Sequence, residues 1–184
     1  MRIIAGACRR KPLNSVPGME TRPTSDRIRE SIFNILRDMV REAVVLDLFA
    51  GTGALGLEAL SRGAKQALFI DRAPAAIKTI KRNIAGCGVE DRATVKKWDV
   101  VRDLNCLKNQ APPFSLVFID PPYGKGWIRP ALQHLAAASC LAPEAVLVIE
   151  HTSDEREWKE IPYFFPHDQR KYSKTLVSFV MYSI

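Results

Sequence analysis

The stretch Val44-Val45-Leu46-Asp47-Leu48-Phe49-Ala50-Gly51-Thr52-Gly53-Ala54-Leu55-Gly56 most constrains what this chain can fold into. A β-branched apolar run ends near an acid. A loop with three glycines follows and opens into a helical pattern. This reads as a strand, a tight turn and a helix start, the unit from which doubly wound α/β sheets build their ligand sites. A second element, Asp120-Pro121-Pro122-Tyr123, also follows an apolar run, Leu116 to Ile119. Two loops at the carboxyl ends of two parallel strands face one crevice.

Hydrophobic periodicity supplies the rest of the architecture. Ile28, Ile32, Phe33, Leu36, Met39 and Val40 recur at helical spacing from Asp26 to Val40, with Ser25 as N-cap after a turn over Thr21 to Ser25. Strands are expected over Ala43–Leu48, Ala67–Ile70, Ala93–Lys97, Phe114–Ile119 and Ala145–Ile149. Helices are expected over Ala54–Ser61, Pro74–Ala85, Val100–Leu107 and Ile128–Ala138. This alternation implies a parallel sheet with right-handed crossovers. The tail reads as two strands, near Tyr163 to Arg170 and Thr175 to Tyr182. The fold class is therefore α/β: a doubly wound, Rossmann-like sheet, mostly parallel, with an antiparallel last strand. Arg2–Cys8 and Lys11–Val16 suggest a small β-hairpin outside the main domain. The division expected is a basic extension over residues 1–24 and a catalytic domain over 25–184.

The net charge is +7, and its placement says more than its size. Residues 1–29 hold seven basic side chains (Arg2, Arg9, Arg10, Lys11, Arg22, Arg27 and Arg29) against two acids. Such a patch is the electrostatic footprint of a nucleic-acid partner. No apolar run reaches the roughly 18 residues of a membrane span, and the N-terminus is too short in apolar residues for a signal peptide. A cytoplasmic protein without a membrane partner is expected. Cys8, Cys87, Cys106 and Cys140 are irregularly spaced, as are the three histidines, so no metal site is expected.

Gly51-Thr52-Gly53-Ala54-Leu55-Gly56 satisfies G-x-G-x-x-G, with Asp71 about 20 residues on, as in a dinucleotide site. Asp47 disfavours that reading, because a carboxylate facing the ligand would repel a pyrophosphate. It would attract a ligand with an ammonium and a sulfonium, such as S-adenosylmethionine. Asp71 is placed to accept from two ribose hydroxyls, with Arg72 beside it, and Asp99 to accept from an adenine amine. Phe49, Ala50, Gly51, Thr52 and Gly53 form the loop between them. The combination resembles the class I S-adenosylmethionine-dependent methyltransferases that methylate exocyclic amines.

An exocyclic amine is a poor nucleophile because its lone pair is delocalised into the ring. Accepting hydrogen bonds from both amine hydrogens aims the lone pair and stabilises charge forming on nitrogen. The Asp120 carboxylate and the Pro121 carbonyl can do this, while Pro121 and Pro122 stiffen the backbone. Tyr123 offers a face on which a flipped-out base stacks, worth roughly 1–3 kcal/mol.

Over nearly its whole length the chain resembles the bacterial 16S rRNA (guanine(966)-N(2))-methyltransferase family. The resemblance rests on Met1 to Gly6, on Arg22-Pro23-Thr24-Ser25-Asp26-Arg27-Ile28-Arg29-Glu30 running into Phe33-Asn34-Ile35-Leu36, and on the two motifs above. It implies methylation of N2 of one guanine in small-subunit rRNA, within an assembled ribosomal particle. A monomer is expected. Two positions depart from the family pattern: Arg10 and Ser173 stand where members usually have Gly. Three other readings stay open. They are amino-methylation of adenine or cytosine in DNA or another RNA, an NAD-dependent oxidoreductase, and a non-catalytic RNA-binding module.

Overall fold

The strand Val44–Leu48 (β1) is apolar apart from Asp47, and every residue in it is buried. Such a strand belongs in the middle of a sheet with layers on either side. The computed structural model, which describes residues 1–18 and 25–183, places it there. The other strands are β2 (Gln66–Asp71), β3 (Ala93–Lys97), β4 (Phe114–Ile119), β5 (Leu141–His151), β6 (Phe164–Tyr172) and β7 (Thr175–Tyr182). The sheet order is β3-β2-β1-β4-β5-β7-β6. Pairings from β3 across to β5 are parallel, and β7 runs antiparallel to both its neighbours.

Among the described residues four α-helices cover the sheet: α1 (Asp26–Leu36), α2 (Ala54–Ser61), α3 (Pro74–Cys87) and α4 (Ile128–Ala138). Each has a local cause. The Ser25 hydroxyl caps α1 by accepting from the Ile28 amide at 3.3 Å. Pro74 opens α3, and Gly88 closes it at φ +69. One face of the sheet packs on α1, α2 and α3 through residues such as Ile32, Leu57, Ile80 and Phe118. The other packs on α4 and the tail through Leu132, Leu135, Trp158 and Val180. This is the doubly wound class I methyltransferase arrangement, with its one reversed strand at the end of the chain.

Several boundaries move. The helix expected to Val40 ends at Leu36, where Arg37 turns to φ +42 and a 3-10 turn continues to Val40. Val100–Leu107 is not an α-helix; only Asn105–Leu107 forms a 3-10 turn. Side chains compete with the helix there: Asp99 accepts from the Val101 amide and Asp103 from the Asn105 amide, at 3.1 and 2.9 Å. β5 starts earlier and ends later than its apolar run suggests.

The N-terminal segment differs most. The expected hairpin reduces to a single antiparallel bridge between Arg2 and Pro12. It also does not stand outside the domain. Ile3, Cys8 and Leu13 are buried in the same core as α1, α2 and α3. Its backbone donors turn toward α2: the Ile4 and Ala5 amides donate to the Glu58 carboxylate at 2.8 and 3.0 Å, and the Cys8 amide to the Ser61 hydroxyl at 2.9 Å. Buried backbone donors need partners, and α2 supplies them, so all eight residues of α2 are buried. The turn expected over Thr21 to Ser25 lies, apart from Ser25, outside the described residues.

Gly6 permits this docking. It sits at φ +83, and a Cβ there would come within 1.9 Å of the Ser61 carbonyl oxygen. Gly6→Ala should destabilise the protein by about 2–4 kcal/mol, from a disfavoured backbone region plus a steric clash; urea denaturation measures it. Arg10 at φ +70 and Ser173 at φ +57 occupy the same left-handed region with side chains attached. Ser173 opens the two-residue loop between β6 and β7, a place where a first residue at positive φ favours glycine. Arg10→Gly and Ser173→Gly should each raise stability by about 1 kcal/mol, read in the same experiment.

Candidate active site

The chain runs outward from β1 to β3 on one side, then returns to β4 and β5 on the other. Ligands of such sheets bind outside the carboxyl ends of the strands at this reversal. Leu48 and Ile119, the last residues of β1 and β4, are register partners. The glycine loop and the Asp120 loop therefore leave the sheet side by side.

Gly51 and Gly53 take φ +55 and +77, and Gly53 caps α2. A Cβ on Gly51 would meet nothing nearer than the Phe49 carbonyl oxygen at 3.9 Å, so a ligand can approach this backbone closely. Phe49 takes φ +59 without glycine's freedom, a strained backbone at the crevice. The Ala50 amide donates to the Ile70 carbonyl at 3.0 Å, joining the loop to β2. The buried Asn83 of α3 donates through Nδ2 to the Thr52 carbonyl at 2.8 Å, pinning the loop from behind.

Asp47 does not face the ligand as expected. It is 2% exposed, and its Oδ2 accepts from the Gly56 amide at 2.9 Å. Burial pushes its pKa up to about 8, against the Gly56 bond, which lowers it. Charge repulsion by this residue therefore does not exclude a pyrophosphate. Asp71 keeps both carboxylate oxygens on backbone donors, Gly51 at 2.9 Å and Ala73 at 2.8 Å. A carboxylate has about four acceptor sites, so ribose hydroxyls can still bind it. The Arg72 guanidinium pairs with Asp99 at 3.6 Å and lies 4.5 Å over the Trp127 ring. Trp127 in turn stacks on Phe49, with centroids 5.9 Å apart and planes at 17°. Loops following β1, β2, β3 and β4 thus meet in one cluster of two rings, a cation and an acid.

Asp120 follows β4 directly and is half-buried; Pro121 is buried and Pro122 exposed. Tyr123 is 44% exposed, but its hydroxyl is anchored. It donates to Glu150 Oε1 and lies 3.1 Å from Thr175 Oγ1. Burial first, then the Glu150 bond, pushes the phenol above its ordinary range, so it stays a donor. Beside the ring lies a cleft of about 420 Å³ lined by Tyr123, Gly124, Gly126, Thr152, Asp154 and Glu155. Sequence reasoning missed Asn83, Trp127, Glu150, Glu155 and Thr175. Only Glu150 carried a signal, as an acid at the carboxyl end of an apolar strand.

The basic residues separate into two kinds. Arg2, Arg9, Arg10 and Arg27 are exposed. Lys11 is half-buried, and its ammonium donates to the Cys87 carbonyl at 2.9 Å, capping α3. Arg29 is wholly buried, so the expectation that it meets RNA phosphate is corrected. Its Nη2 lies 3.0 Å from the Asp26 carboxylate, and its Nε lies 3.7 Å from Glu58. Arg22 lies outside the described residues.

Fold and relatives together define a methyltransferase of the class I architecture. The crevice suits S-adenosylmethionine: an open glycine loop, acids for hydroxyls and an amine, and flat walls at Phe49 and Trp127. Residues 1–181 match the model of the family described as Conserved hypothetical protein 95, and the chain belongs to that family. It is 36% identical over 152 residues to Ribosomal RNA small subunit methyltransferase D of Escherichia coli (strain K12), covering 82% of this chain and 74% of that one. It is 35% identical over 157 residues to the Haemophilus influenzae protein of the same name, covering 84% and 80%. The solved structure of Escherichia coli yhhF superposes with a TM-score of 0.86 at 31% identity, covering 100% of this chain and 98% of that one. An RNA methyltransferase from Salinibacter ruber, solved with S-adenosyl-L-homocysteine, shares the fold at a TM-score of 0.67 and 18% identity, covering 88% and 94%.

The raised pKa of Asp47 has a sign that can be checked. Its folded-state value lies above the ordinary 3.8, so its contribution to stability is complete below that pH and is lost as pH rises through about 8. Asp47→Asn keeps an oxygen for the Gly56 amide and removes the charge. The variant's melting temperature should gain on the wild type steadily from about pH 4 to pH 8 and level off above it. A difference that stays flat across this window would contradict the assignment.

Proposed function

We propose that this enzyme methylates the exocyclic N2 of a guanine in 16S rRNA, of the G966 type, within an assembled small-subunit particle. The observation that carries the reading is the emergence of Asp120-Pro121-Pro122-Tyr123 from β4 beside the glycine loop of β1. Relatives named for small-subunit rRNA methylation support it. The enzyme acts as a monomer in the cytoplasm, where such particles are assembled. Among the described residues no helix is long and apolar enough to cross a membrane.

S-adenosylmethionine supplies an activated methyl group when bound. Asp71 holds the ribose hydroxyls, Asp99 and Arg72 the adenine edge, and Phe49 one face. The backbone of Ala50, Gly51, Thr52 and Gly53 shapes the floor, and Asp47 holds that loop against α2. Asp120 accepts one hydrogen from the guanine amine and the Pro121 carbonyl accepts the other. The nitrogen lone pair is thereby turned toward the methyl carbon. Charge forming on nitrogen is met by the Asp120 carboxylate, which receives the departing proton. Pro122 restricts the backbone, and Tyr123 carries the flipped base. Residues 1–24, with Arg2, Arg9, Arg10 and Arg22, together with Arg27 at the start of α1, hold RNA phosphates; Lys11 adds the donors its ammonium has left after capping α3.

The test uses methyl-labelled S-adenosylmethionine and small ribosomal subunits lacking the modification. Nucleosides from the digested RNA are identified by mass spectrometry. Label in N2-methylguanosine is expected; label in methyladenosine or methylcytidine would redirect the substrate. Asp120→Ala should lower turnover about 100- to 1,000-fold, the cost of removing one charge-stabilising group, and leave cofactor affinity within a few-fold.

A further inference from the structure

We propose that Glu150 is a positioning residue for methyl transfer, holding the Tyr123 ring at the angle on which the target base stacks. The inference rests on the reading of Tyr123 as the base platform. Glu150 lies near the end of β5, in an otherwise apolar run, and is 5% exposed. Burying a carboxylate is costly unless it is well hydrogen-bonded. Here one of its oxygens accepts the hydroxyl of Tyr123, a side chain that is 44% exposed. Thr175, the first residue of β7, meets the same hydroxyl at 3.1 Å.

The two anchors come from strands that pair with each other, through Glu150 with Val177 and His151 with Leu176. They are thus part of the sheet. The loop that carries Tyr123 is not. Past the two prolines it continues through Gly124 and Gly126 at φ +67 and +66, on either side of Lys125. A second acid secures the next residue. Glu155 accepts the Gly124 amide at 3.1 Å through one oxygen, while its other oxygen accepts the Thr152 amide at 3.1 Å and hydroxyl at 3.2 Å. The side chain of residue 123 and the backbone of residue 124 are therefore both held by acids outside the motif. A platform fixed before the base arrives loses no freedom on binding, and orientation at the reacting centre appears in turnover.

The experiment measures kcat, KM for unmodified small subunits, cofactor affinity and melting temperature for Tyr123→Phe, Glu150→Ala, Glu150→Gln and the double variant Tyr123→Phe/Glu150→Ala. Tyr123→Phe keeps the ring and loses the tether. It should lower kcat about tenfold with KM and cofactor affinity little changed, the pattern of lost orientation. Glu150→Ala should do the same, Glu150→Gln, which still offers an acceptor oxygen, should recover most of the rate, and the double variant should be no slower than Tyr123→Phe. Additive losses would overturn the proposal, as would a rate unaffected by Glu150→Ala. So would a fall in cofactor affinity that matches the fall in kcat. Tyr123→Ala separates the two levels. If it leaves methylation intact, the platform reading fails and this proposal with it. If it abolishes methylation while Glu150→Ala does not slow it, only the tether is wrong.

Discussion

The hydrogen bond from the Gly56 amide to the buried Asp47 carboxylate is the joint on which the site depends. It fastens the first turn of α2 to the end of β1. The glycine loop between them is held at both ends. Gly56 is required for the approach: a Cβ there would lie 2.3 Å from the Phe69 ring and 3.1 Å from the Asp47 oxygen. Phe69 belongs to β2, so one small residue sets the spacing of a helix and two strands. An acid at this position is not primarily a ligand group. It satisfies a helix-start donor that has no partner within its own helix, and it does so where water does not reach.

A second buried acid, Glu58, organises the side of α2 away from the sheet. Its carboxylate accepts the Ile4 and Ala5 amides and the Arg62 guanidinium, and Arg29 faces it from α1. At 3.7 Å the Arg29 contact is Coulombic rather than a hydrogen bond. Removing one partner of such a buried group leaves the other uncompensated, which costs several kcal/mol. The N-terminal segment is thereby part of the domain's core. It also touches the glycine loop through one intermediary, since Asn83 accepts from Asn14 and donates to Thr52. The segment that carries the exposed arginines and the glycine loop after β1 share a side chain.

What could be read in the sequence was whatever a local pattern encodes. β1 and α2 follow from apolar runs next to glycines, β7 from an apolar run after the polar turn at Ser173-Lys174, and the neighbouring exits of the two motif loops from strand order in a doubly wound sheet. Arg29 shows the limit. It lies among six other basic residues, and nothing in that run says that its guanidinium turns inward to Asp26 and Glu58 rather than outward. Burial of a charge is decided by a partner 29 residues away, and no local window holds both. Asp47 differs: its partner, Gly56, lies in the same short stretch, but only the folded turn aims the Gly56 amide at the carboxyl group. The 100–107 segment failed for the opposite reason. Its periodicity was adequate, but Asp99 and Asp103 offered the backbone closer partners than a helix would.

Residues that support the motif loops from other elements could not be paired with them in the sequence for the same physical reason. Glu150 and Thr175 reach Tyr123 from 27 and 52 residues away, and Asn83 reaches Thr52 from 31. A motif read in sequence names the groups that meet the ligand. The sheet decides what holds them, because only the sheet brings β5 and β7 alongside the loop that follows β4. A half-exposed aromatic with a buried acid on its hydroxyl combines two demands that conflict in isolation: a face open to a large incoming partner, and a ring that does not turn. Setting the polar anchor in the core and the apolar face in solvent resolves that conflict, and it reverses the usual placement of both groups.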